Sequence, residues 1–107
     1  MLRRSLTAVI EKNAVIEAGF ATEPYEAGWA SEARWFLRVF ELNGRLRVRP
    51  QISPDGLEWC DEGSPETTIS EPGLYSFALT GFGQWLRLDV DLDGGGGRVQ
   101  IYLALKE

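Results

Sequence analysis

The chain has 107 residues, near the size of one domain, with 44% hydrophobic and 25% charged residues, an ordinary globular balance rather than a disordered one. A net charge of −5 weighs against nucleic acid as a partner, because that affinity rests on neutralising phosphates. Histidine is absent and there is one cysteine, which rules out histidine-based triads and zinc sites and any intrachain disulfide. Twelve glycines and five prolines favour many turns and short strands. The N-terminal stretch carries Arg3 and Arg4 but only a short apolar run, broken by Glu11 and Lys12. That run is too short for a secretory core or a membrane span, so the chain reads as soluble, with no membrane partner and no compartment signal.

In chain order, residues 6–10 and 14–17 predict one or two strands around Asn13, and at most one helical turn is expected around Glu32. Residues 33–53 predict a β-hairpin with a type I′ turn at Asn43-Gly44. Its second arm alternates, with Leu46, Val48, Pro50 and Ile52 on one face and Arg45, Arg47, Arg49 and Gln51 on the other. Closing that turn places Phe40 opposite Arg47, Arg38 opposite Arg49, and Val39 opposite Val48 on the core face. Pro50, lacking a donor, implies an edge or a bulge there.

Ser53-Pro54-Asp55-Gly56 has the composition of a type I turn. A short strand over 57–59 and a weak one over 67–70 are expected next. Tyr75, Phe77 and Leu79 alternate inward on another strand, and Gly81-Phe82-Gly83 makes a sharp link. A second hairpin is predicted over 84–105. Leu86, Leu88, Val90 and Leu92 face in on one arm, Val99, Ile101, Leu103 and Leu105 on the other, and Asp93 with residues 94–97 forms the loop. Short strands at intervals near ten residues imply an all-β fold, a single antiparallel β-sandwich, jelly-roll-like, of about 7–8 short strands in one domain.

The segment containing Gln51, Ser53, Pro54, Asp55, Gly56 and Trp59 resembles a pattern found in small β-sandwich proteins among phage virion and bacterial hypothetical proteins. The same is true of Phe82, Gly83, Trp85, Leu86, Arg87 and Leu88 further on, so the resemblance spans roughly residues 33–105. It implies an accessory or decorating subunit of a larger assembly. The shared residues are turn and core chemistry, not site chemistry.

Asp89, Asp91, Asp93 and Gly94 spell the start of a calcium loop, but its twelfth position is Gln100 instead of a bidentate carboxylate. Strand alternation followed by a turn explains these aspartates equally well, so they are weak metal candidates and no cofactor is expected. Glu58, Asp61 and Glu62 have the residue type of a glycosidase pair, although nothing in the sequence marks one of them as buried. Cys60 has no histidine to activate it and reads as a buried, inert thiol. The glycines at 94–97 lack the lysine and helix of a phosphate loop.

The expected outward face of the first hairpin is the most informative surface, with Arg38, Arg45, Arg47 and Arg49 interleaved with Phe36, Phe40 and Leu42. Arginine with aromatics is the composition of interface hot spots. Its cover is the N-terminal segment, a neighbouring strand carrying Asp89 and Asp91, another copy, or a foreign protein. Trp29, Trp59 and Trp85 are candidates for a sugar-stacking platform, Trp29 and Trp85 foremost. The reading that follows is a non-enzymatic structural or assembly module with a protein partner, self or a larger assembly. The alternative is a glycan-binding module.

Overall fold

The computed structural model describes residues 3–107; Met1 and Leu2, part of the N-terminal stretch read above, lie outside it. Every regular element is a strand: β1 (Ser5–Ile16), β2 (Phe20–Ala21), β3 (Tyr25–Glu26), β4 (Glu32–Ser53), β5 (Cys60–Asp61), β6 (Thr67–Ile69), β7 (Gly73–Thr80) and β8 (Trp85–Lys106). All pairings are antiparallel and belong to one eight-stranded sheet, in keeping with the all-β expectation. Glu32, where a helical turn was expected, opens β4.

Neither long hairpin forms. β4 and β8 are unbroken 22-residue strands paired with each other along their length, from Glu32 opposite Lys106 to Ser53 opposite Trp85. Val39 therefore faces Val99, and Val48 faces Val90. The two turn signals meet in the middle of this ribbon, with Asn43 opposite Gly96 and Gly44 opposite Gly94. Glycine was needed there for backbone conformation, with φ of 118° at Gly44 and 126° at Gly94, but to bend a ribbon and not to reverse a chain.

Register shifts show how the bend is built. Between Val39 and Glu41, β4 carries one extra residue, Phe40; between Asn43 and Gly44, the extra residue, Gly95, lies on β8. Each bulge inverts the alternation of its own strand. Buried positions accordingly switch from odd (Trp35, Leu37, Val39) to even (Leu46, Val48) along β4, and from even to odd along β8. The apolar face stays continuous through the bend.

The ribbon doubles over at this glycine waist. Drawn straight, 22 strand residues span about 70 Å, whereas the longest dimension of the molecule is 46 Å. Ala27 N–H donates to Gln84 O (2.7 Å), just before β8, and Ser31 N–H donates to Lys106 O (2.9 Å), at its far end. Four residues of chain reach at most about 14 Å, so the two ends of β8 lie near each other. Two arms result. In the first, β1 and β7 flank the outer stretches of β8 and β4; in the second, β2 and β3 flank β8, and β5 and β6 flank β4. Their apolar faces merge in one core that includes Trp35, Leu37, Leu46, Ile69, Leu88 and Ile101.

Pro50 lies on an interior strand, with no bulge, but at a local edge of it, as its missing donor implies. It pairs with Leu88 of β8, and on its other side it falls between the residues bound by β6 (to Val48) and by β5 (from Gln51). Its carbonyl accepts from Glu62 N–H (3.0 Å) in that gap, where the missing donor has no ladder to break.

Candidate functional site

The six residues expected on one Arg/Phe face are divided by the bend. Arg45, Arg47 and Arg49 point outward on the second arm, directly opposite Asp93, Asp91 and Asp89. Arg49 donates to Asp89 Oδ2 at 2.8 Å and lies 3.5 Å from Asp91; Arg47 lies 3.2 Å from Asp93. The hydrogen bond to Asp89 raises the Arg49 pKa, assisted by the charges of Asp89, Asp61 and Asp91. The ladder continues with Arg87 Nε donating to Gln51 Oε1 (2.7 Å). Asp89, Asp91 and Asp93 thus face guanidinium groups, which would repel a cation, and no metal-binding cluster of three or more groups occurs among the described residues.

Phe36 and Arg38 sit on the first arm, where pairing fixes a grid of outward residues. Val9, Tyr102, Phe36 and Ser76 form one row across β1, β8, β4 and β7. On one side lie Thr7, Ala104, Arg34 and Ala78, and on the other Gln100, Arg38 and Leu74. Arg34 Nη1 donates to Ser76 Oγ at 3.0 Å. The small side chains of Ala78 and Ala104 on either side of Arg34 leave a trough of about 440 Å³, with Phe36 and Thr80 also in its wall. Val9 and Leu74 remain 52% and 53% exposed, and Phe36 and Tyr102 are half-buried. Among the described residues nothing covers this apolar row with arginines on both sides, in a chain of net charge −5. Val9, Leu74, Tyr102 and Arg34 were not singled out from sequence; alternation in β1 and β7 is the signal that would have placed them.

Phe40 belongs to neither surface. As the bulge residue it lies beneath Arg98, whose guanidinium is 4.7 Å from the ring centroid. Arg98 also donates to Asn13 Oδ1 and reaches Glu41 at 3.4 Å, tying the irregular stretch of β1 to that of β4.

Each tryptophan proposed for sugar stacking has a covered ring face. Arg4 lies 4.0 Å over Trp29, and a Cβ on Gly56 would stand 3.3 Å from the Trp85 ring. Arg87 lies 4.5 Å over Trp59. The Ser53-Pro54-Asp55-Gly56 turn is self-capped. The Asp55 carboxylate accepts from the amides of Leu57 (2.8 Å) and Glu58 (3.0 Å), and Ser53 Oγ accepts from Gly56 N–H (2.8 Å). The bonds to the carboxylate, from Glu58 N–H foremost, then Leu57 N–H and the Ser53 hydroxyl, hold the Asp55 carboxyl below its usual range.

That extended turn occupies 54–58, so the strand expected over 57–59 starts only at Cys60. The shift leaves Cys60 exposed, contrary to the expected buried thiol. Of the acidic cluster, Asp61 accepts from Gln51 Nε2 (3.1 Å) and Glu62 from Ser64 N–H (3.0 Å), while Glu58 is exposed.

No family model matches the chain, and no curated protein matches it. Its doubled-over antiparallel architecture does occur in solved structures. The SPBc2 prophage-derived protein YomS is similar with a TM-score of 0.73 and 7% identity, over 100% of this chain and 96% of that one. The PBSX exported protein XepA is similar with a TM-score of 0.71 and 9% identity; the match covers 94% of this chain but 36% of XepA. A family 29 carbohydrate-binding module scores 0.45 at 16% identity, covering 96% and 89% of the two chains. At these identities the likeness to YomS and XepA is one of fold.

Proposed function

We propose that the chain is a non-catalytic accessory module of a larger, phage-derived assembly, docking through the outward face of the first arm. The observation that carries this reading is the uncovered row Val9, Tyr102 and Phe36, with Leu74 beside it and Arg34 and Arg38 at its margins. Exposed apolar side chains gathered on one sheet face and rimmed by polar groups mark interaction sites. Arginines beside aromatics add stacking and carboxylate recognition. The matching partner surface is apolar at its centre and acidic at its rim. A fold shared with a prophage-derived protein over nearly its full length, and with part of XepA, supports the phage context.

Gradient sedimentation of phage particles from a host expressing the tagged chain tests this. The chain is expected in the particle fraction, and Val9→Ser with Phe36→Ser is expected to leave it at the top of the gradient. A wild-type chain absent from the particles, or a variant still bound to them, would overturn the proposal.

A further inference from the structure

On the first arm the sheet ends in two edges that no strand pairs with among the described residues, and they differ. Among the described residues β1 pairs with β8 alone, and its register breaks between Val9 and Glu11 and again between Glu11 and Ala14, around the charged pair Glu11 and Lys12 and the left-handed Asn13 (φ 49°). Bulges and charges of this kind blunt an edge against further pairing. β7 has none of these devices. Its eight residues, Gly73–Thr80, pair with β4 in unbroken register from Val39 opposite Gly73 to Glu32 opposite Thr80. The sequence GLYSFALT contains no charged residue and no proline. Among the described residues no strand pairs with its other side.

We infer that the free edge of β7 pairs antiparallel with β7 of a second copy, making one sheet continuous through a dimer. A strand without charge has nothing with which to repel itself, and backbone donors and acceptors along a regular edge are self-complementary about a two-fold axis. Facing allows only certain registers. Pairs must join residues of the same parity, because an odd offset would set core-facing side chains against outward ones. Placing Phe77 opposite its own copy uses the whole segment from Leu74 to Thr80. Tyr75 then faces Leu79 and Ser76 faces Ala78. Tyr75 and Phe77, half-buried on the core face and packed against the core, gain aromatic cover on their open side. The inference does not rest on the outward docking reading: the pairing is made by backbone groups along the edge, with Ser76 and Ala78 at the margin of the outward face.

Sedimentation velocity over a dilution series, on the full chain, is the test. The expected result is a species of twice the 12.0 kDa chain mass, shifted to the single mass by Ser76→Lys with Ala78→Lys, which places like charges opposite each other. A second readout guards against a variant that fails to fold. In a Cys60→Ser background, oxidising a mixture of Ser76→Cys and Ala78→Cys chains is expected to give the mixed disulfide well in excess of either homodimer. A strict monomer at millimolar concentration, or a dimer that ignores the lysines and forms no mixed disulfide, would overturn the inference.

Discussion

Substituting Gly44 and Gly94 singly and together separates the doubled ribbon from two independent hairpins. A Cβ on Gly94 would stand 2.6 Å from Gly44 Cα and 2.8 Å from the Asn43 carbonyl oxygen; one on Gly44 would stand 2.8 Å from Gly94 Cα and collide with the Asp93 carbonyl oxygen. Both glycines also hold φ values that L-residues rarely adopt. Backbone strain costs about 1–3 kcal/mol and overpacking roughly another 1–3 kcal/mol. Each alanine is therefore expected to destabilise by about 2–6 kcal/mol, a large share of the ~5–15 kcal/mol available to a domain. Gly63 is the control, with φ 113° and no atom within 4 Å of a built Cβ, so its alanine variant carries the backbone strain alone. Urea unfolding of the three single variants and the Gly44/Gly94 double variant gives the required values. Once the first alanine has pushed the strands apart, the second is cheaper, so the double loss should fall short of the sum by about 0.5–3 kcal/mol. In two separate hairpins the glycines would not touch, and their effects would add. Additivity within about 0.5 kcal/mol, or a Gly94→Ala variant no weaker than Gly63→Ala, would refute the waist.

Other consequences are more local. The Trp35 indole is fully buried and its N–H has no partner among the described residues, so Trp35→Phe removes an unsatisfied donor along with some volume. Its cost should stay well below the roughly 2–5 kcal/mol expected for Leu37→Ala at an equally buried position, as read by thermal and urea melts. Because the folded Asp55 carboxyl titrates below its unfolded value, its contribution is complete above the unfolded pKa and is lost as pH falls through the folded one. Stability measured toward acid should fall less steeply in Asp55→Asn, with carbon-detected NMR reporting the carboxyl directly. Cys60, being exposed, should react with a thiol reagent in the folded chain as fast as it does in urea, whereas a buried thiol would wait for unfolding.

Much of the core is legible in the sequence alone. Alternation placed Leu46, Val48, Leu86, Leu88, Ile101 and Leu103 on the buried side, because burial of one sheet face imposes a period of two whichever strand lies next door. Pairing was not readable in the same way. Asn43-Gly44 and the glycines at 94–97 declare that positive φ is tolerated, and a reversing turn and a bulged bend use that tolerance alike. A better clue was the antiparallel match of Arg45, Arg47 and Arg49 to Asp93, Asp91 and Asp89, which is the ladder that forms. Cys60 was misplaced for a related reason: the Asp55 side chain captures two amides beyond the turn and delays the strand. The docking face was half visible. Phe36 and Arg38 stood out by residue type, while Val9, Tyr102 and Leu74 join them only through pairings distant in sequence.

Hydroxyl-radical footprinting of the chain, with and without purified phage particles, examines the docking face at side-chain resolution. Particles are expected to shield Phe36 and Tyr102 while exposed Leu57 and Val15 oxidise as before. Shielding of Leu57 or Trp85 with Phe36 unchanged would contradict docking through the first arm.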